Sequence, residues 1–252
     1  MAKILVVVNQ KGGVGKSTTA VNLGAYLAEA GKKVLLIDAD PQGNATSGLG
    51  INKAEVEGCM YSVLIEGRPL EEILLPSPVD GLMVAPATIE LAGAEVELVS
   101  VISREFRLRR AIAGIQDRYE YIFIDAPPSL GLLTINGLTA ADGALVPIQC
   151  EYYALEGLSQ LLRTIELVRE HLNPGLKVEG VLMTMYDART NLSQQVVEEV
   201  RGVFGEKVYQ AVIPRNVRLS EAPSFGLPII KYDAKSKGAQ AYRQLAEEVM
   251  AG

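Results

Sequence analysis

Lys11-Gly12-Gly13-Val14-Gly15-Lys16-Ser17-Thr18 decides how the rest of the chain is read. An aliphatic run at residues 4–8 precedes it and predicts a buried strand. Residues 20–28 follow it with apolar side chains at helical spacing. Strand, glycine loop and helix in that order form the setting of a phosphate-binding loop. Glycines let successive backbone N–H groups turn inward, where a Cβ would obstruct a phosphate. The helix that starts near Ser17 aims its positive end at the same point. Lys16 then reaches the β- and γ-phosphates, and the Ser17 hydroxyl is placed to ligate Mg²⁺.

Two strands outward from the loop carry aspartates at their carboxyl ends. Residues 33–38 form the first, entered through Gly31 and running into Asp38-Ala39-Asp40-Pro41-Gln42-Gly43-Asn44. In open α/β sheets, ligands bind beyond that end of the strands. Asp38 and Asp40 stand two apart, so an extended chain would point both the same way. Positioning of an attacking water and indirect support of Mg²⁺ both suit such carboxylates. Tyr121-Ile122-Phe123-Ile124-Asp125 is the second strand, and its apolar run ending in an acid predicts delivery of Asp125 to the Mg²⁺ shell. A stiff turn, Ala126-Pro127-Pro128-Ser129, follows, and then a helix over 130–140.

Further strands are predicted at 81–86, 143–149, 178–185 and 208–213. Helices are predicted at 60–65, 70–75, 89–99, 103–115, 158–172 and 193–204, and over the tail from 239 to 250. Residues 46–50, 186–191 and 214–223 read as loops. This alternation predicts an α/β fold with a mostly parallel central sheet covered by helices on both faces. No repeat, low-complexity segment or linker divides residues 1–252, which are expected to form a single domain.

One departure from the usual G-x-x-x-x-G-K-[ST] loop is informative: Gln10 stands in place of the first glycine, with Lys11 beside it. KGGVGKST resembles the deviant Walker A loop of the ParA/MinD group of P-loop NTPase-like ATPases. DADPQGN resembles that group's switch I, and IDAPPSLG its switch II. CEYYALEG, MYDARTN and PRNVRLSEAP resemble the chromosomal ParA proteins, often called Soj, so the likeness spans essentially the whole chain. The resemblance implies an ATP-dependent homodimer that binds ATP and Mg²⁺ along residues 11–18 (Lys11, Gly12, Gly13, Val14, Gly15, Lys16, Ser17 and Thr18). In it Lys11 reaches the nucleotide from the partner subunit, Asp40 serves hydrolysis, and Ser17 and Asp125 hold the metal. Pro214 and Asn216 would border the adenine, and Arg189 and Arg218 would belong to a face for non-specific DNA. A ParB-type centromere-binding protein is the implied partner that stimulates hydrolysis. Iron–sulfur relatives would show cluster cysteines after the sheet strands, and none stand here.

Composition agrees with such a chain. Hydrophobic residues make up 48% and charged ones 21% of 252, enough for a sizeable core. No apolar run approaches the roughly 20 residues that span a bilayer, and no signal peptide is read, so a cytoplasmic, nucleoid-associated place is expected. Cys59 and Cys150 have no metal-like spacing and are expected to be reduced thiols. The net charge of −6 hides a basic segment: Arg215, Arg218, Lys231, Lys235, Lys237 and Arg243 face only Glu221 and Asp233. Two other readings remain beside the partitioning ATPase. A MinD-like membrane-cycling ATPase would need a strongly apolar, basic-flanked C-terminal helix, whereas residues 239–250 hold few bulky apolar side chains and two adjacent glutamates. A metabolic P-loop ligase would need a small-molecule acid or amine site.

Overall fold

The computed structural model describes residues 1–151 and 158–252. Its elements are β1 (Lys3–Val7), α1 (Lys16–Glu29), β2 (Val34–Asp38), α2 (Asn44–Gly48), β3 (Leu75–Pro76), β4 (Leu82–Ala85), α3 (Leu91–Glu97) and α4 (Arg107–Ala113). There follow β5 (Tyr121–Asp125), α5 (Leu132–Ala140), β6 (Gly143–Gln149), α6 (Leu158–His171), β7 (Lys177–Tyr186), α7 (Asn191–Phe204), β8 (Val208–Pro214), α8 (Val217–Glu221), α9 (Ile229–Tyr232) and α10 (Lys237–Ala251). Residues 152–157, most of the CEYYALEG segment, lie outside the described residues.

The eight strands make one sheet in the order β3-β4-β2-β5-β1-β6-β7-β8. Every pair is parallel except β3 with β4. Strands of this sheet are hydrophobic without alternation because both faces are covered. On β1, Ile4 and Val6 enter a core shared with α4, α5, α6 and α7, while Leu5 and Val7 enter the opposite core with α1 and α10. Parallel order carries the strand ends that bear function to one edge. The register aligns Val7 with Asp125 and Asp38 with Asp125, so the two strand-end carboxylates sit side by side next to the exit of β1.

Four local expectations change. Residues 46–50 are not all loop, because α2 forms over 44–48. Thr46 there donates through its amide at 2.8 Å and its hydroxyl at 2.6 Å to the Asp38 carboxylate. That tertiary bond supports a turn whose own residues are poor helix formers. The predicted helix at 103–115 is broken: Ser103 takes φ 54°, a 3₁₀ turn covers Arg104–Phe106, and α4 starts only at Arg107. The helix at 70–75 stops at Ile73, and Leu75–Pro76 pair antiparallel with β4. Within 214–223 the chain folds into α8, capped by the Asn216 side chain, which accepts from the Arg218 N–H at 2.8 Å. Cys59 and Cys150 are buried free thiols.

Candidate active site

The loop between β1 and α1 is built by its neighbours as much as by its glycines. Buried Asn9 donates to Pro147 O at 2.8 Å and accepts from Lys11 N–H at 3.0 Å, fixing the loop's first turn on β6. Its far side hangs on β7: the Thr184 hydroxyl donates to Val14 O at 2.8 Å, while the Val14 side chain is buried. Gly15 precedes α1 at φ 91°, a left-handed conformation that a side chain would strain. The helix N-terminus therefore opens onto a cavity of about 580 Å³.

Gly12, Gly13, Gly15, Lys16, Ser17 and Thr18 line that cavity. Across from them stand Pro214 and Asn216 at the end of β8, and Asp40 closes a third side. Strands β1, β2 and β8 thus bring together most of the residues singled out in the sequence. Lys16 is buried, and its Nζ donates to Lys11 O at 3.2 Å. Burial pulls the Lys16 ammonium below its ordinary value, against the Asp125 and Asp40 carboxylates, which favour the charged form.

Asp38 and Asp40 do not point the same way. The strand ends at Asp38, whose carboxylate turns into the protein toward Thr46 and accepts from the Asp40 N–H at 3.2 Å. Asp40 alone reaches the cavity wall, its carboxylate accepting from the Gln42 N–H at 2.9 Å. Asp125 is fully buried, and neither of its carboxylate oxygens has a hydrogen-bond partner. Burial and the neighbouring Asp38 push its carboxyl well above the ordinary range, while the Ser17 hydroxyl and Lys16 act in the opposite sense. An orphaned buried carboxylate of this kind is unusual. With the Ser17 oxygen beside it, the donor set suits a hard, oxygen-seeking cation. Among the described residues no group of three or more His, Cys, Asp or Glu could hold a metal by itself. A cation here would complete its shell with phosphate and water.

Lys11 is half-buried and does not line the cavity of its own chain. Arg189 and Arg218 lie outside the cavity, and no contact joins them. Arg189, at the turn before α7, is clasped by Asp187 at 2.9 and 2.7 Å. Arg218, on α8, pairs with Glu221 at 2.9 Å and with Asp233 at 3.6 Å. Sequence reading overlooked Asn9, Thr184 and Met185. Thr184 meets Val14 across 170 residues, so no local signal marks it. Met185 takes φ 51° and lines the cavity, a strained backbone that only the fold reveals.

Comparison with known proteins places this arrangement. A family model described as an AAA domain matches residues 2–178. The sporulation initiation inhibitor protein Soj of Bacillus subtilis is 63% identical over 251 residues, covering 100% of this chain and 99% of that protein. The chromosome partitioning protein ParA of Myxococcus xanthus is 58% identical over 250 residues, covering 99% of this chain and 88% of the relative. The structure of cobyrinic acid a,c-diamide synthase from Mycobacterium smegmatis with bound ADP and magnesium is similar at a TM-score of 0.88 and 41% identity, covering 99% of this chain and 94% of that one.

Proposed function

The chain belongs to the ParA/Soj family of chromosome-partitioning ATPases, and from that premise we propose a Mg²⁺-dependent ATPase whose ATP-bound dimer holds DNA non-specifically. A ParB-type partner stimulates hydrolysis and so releases the dimer. The observation that carries this reading is the unpartnered Asp125 carboxylate, buried beside Lys16 at the foot of the glycine loop. Residues 1–252 act as one ATPase domain, since both cores pack on the same sheet.

In the proposed reaction the loop amides from Gly12 to Thr18 and the Lys16 ammonium cradle the phosphates. Bound Mg²⁺, held by Ser17 and Asp125, supplies neutralisation of phosphate charge. Asp40 orients the water that attacks the γ-phosphorus, and the bond to the ADP leaving oxygen breaks in line. Lys11 reaches the same phosphates from the partner subunit, as an arginine finger does. Its place outside its own cavity agrees with that role. Pro214 and Asn216 border the adenine. Arg189 and Arg218 serve the DNA face, where phosphates must compete with Asp187, Glu221 and Asp233 for them.

The alternatives have less support. Gly238, Ala239, Tyr242, Leu245, Ala246 and Val249 of α10 are buried against the domain, which leaves that helix little apolar surface for a bilayer. No helix among the described residues is long and apolar enough to cross a membrane. A ligase of the diamide-synthase kind would show ATP turnover that depends on an added acid substrate.

The deciding experiment is DNA binding with ATP, with ADP and without nucleotide across a salt series, with Asp40→Ala alongside. Binding that needs ATP, strengthens in Asp40→Ala and weakens with salt supports the partitioning ATPase. Absence of binding in every state, with normal hydrolysis, overturns the DNA-bound dimer.

A further inference from the structure

The loop from Asp125 to α5 is fastened at both ends. At its start, Ala126 N–H donates to Val7 O at 3.2 Å. At its end, α5 has Gly131 as N-cap and no side-chain cap of its own. The first amides of α5 are satisfied instead from α3, 37 residues upstream. Leu132 N–H donates to Glu95 Oε2 at 2.9 Å, and Leu133 N–H to Glu95 Oε1 at 3.3 Å. A carboxylate with one oxygen on each amide also meets the positive end of the helix.

Gly131 makes room for this contact. Its backbone, at φ −77° and ψ −170°, is open to any residue, so conformation does not require a glycine. Space does: a Cβ on Gly131 would lie 2.6 Å from Glu95 Oε1 and 2.7 Å from Oε2. Asn136 then braces α5 against α4, accepting from Leu108 N–H at 3.1 Å and donating to Arg104 O at 2.9 Å. Between these anchors the loop carries Pro128 into the wall of the cavity, next to Gly12.

We propose that Glu95 is a positioning residue for ATP hydrolysis. Its carboxylate on the start of α5 sets where the Asp125–Gly131 loop lies against the cavity, although Glu95 itself is no part of the cavity wall. The proposal rests on the reading of that cavity given above. Small displacements of groups around a phosphoryl-transfer centre cost rate while leaving ground-state binding largely intact.

The test compares wild type with Glu95→Ala, Glu95→Gln and Gly131→Ala. The readouts are kcat and KM for ATP with Mg²⁺, and amide hydrogen exchange over residues 126–133 without nucleotide. Glu95→Ala is expected to lower kcat roughly five- to ten-fold, with KM changed less than about two-fold, and to speed exchange at Leu132 and Leu133. Glu95→Gln keeps an acceptor oxygen and recovers most of kcat. Gly131→Ala displaces an intact Glu95 and reproduces the loss, and combining it with Glu95→Ala adds nothing further. A kcat that stays at the wild-type value while exchange accelerates overturns the proposal, because the contact is then only a helix cap. A rise in KM that accounts for the whole loss overturns it too. If Glu95→Ala does not fold, Gly131→Ala decides by the same criteria. Wild-type protein that fails to hydrolyse ATP overturns the ATPase reading as well, whereas active wild type with unaltered variants overturns this proposal alone.

Discussion

Lys16 and Asp38 are buried charges with opposite assignments. Lys16 keeps its charge among carboxylates and faces the cavity. Replacing it by Ala removes the point charge that meets the developing negative charge, and kcat for ATP is expected to fall by about 10²-fold or more in a steady-state assay. Burial lifts the Asp38 carboxyl from 3.8 to about 6, against the Thr46 and Asp40 bonds that hold it down. The folded chain then retains a proton that the unfolded chain gives up, so this contribution to stability is whole below the unfolded value and is lost as pH rises through about 6. In protein without metal or nucleotide, urea unfolding from pH 4 to 6 should show a steeper loss of stability for wild type than for Asp38→Asn. At this scale the sequence exposes what is local. Lys16, Ser17, Asp40 and Asp125 could be named because each ends or follows a strand at a recognisable spacing. Thr184 and Glu95 could not, since a hydroxyl and a helical acid become informative only when the fold puts them against Val14 O and α5.

Among the elements, α10 shows how the tail supports the site without touching a phosphate. Tyr242 is buried, and its hydroxyl lies 3.2 Å from Thr19 Oγ1 on α1, the helix that opens onto the cavity. Tyr242→Ala is expected to cost about 3–5 kcal/mol by chemical denaturation, mostly through the void it leaves. The long helices and the buried strands were legible from period and apolar runs. The short elements were not. α2 owes its turn to the distant Asp38 carboxylate, and α4 is shortened by the left-handed Ser103. α8 did carry a signal, an Asn immediately before Val217-Arg218-Leu219, but five residues are too few for a period to stand out.

Taken whole, the molecule gathers its chemistry along one edge of the sheet and keeps its proposed DNA contacts on exposed loops and α8. Arg189→Ala and Arg218→Ala should each lower the slope of log K against log salt for duplex DNA by about 0.9, the value for one lost phosphate contact. Equal slopes in wild type and both variants would sink the assignment of these two residues. The fold class followed from the alternation of strands and helices, and strand-end aspartates beside a glycine loop located the site. The opposite wall, with Pro214 and Asn216, came from family likeness alone, because no local pattern says that β8 ends beside β1.

The outer border at β8 has a consequence for assembly. Register shifts interrupt the pairing of β8 with β7, and the Gln210 and Ala211 amides are both taken by the Glu248 carboxylate at 2.7 Å. The opposite border, β3, is two residues long and ends in Pro76. Neither rim offers a ready template for strand addition. Copies of this chain crowded along a chromosome should therefore join through faces and loops that can let go, and fibres that bind amyloid dyes are not expected from the folded protein.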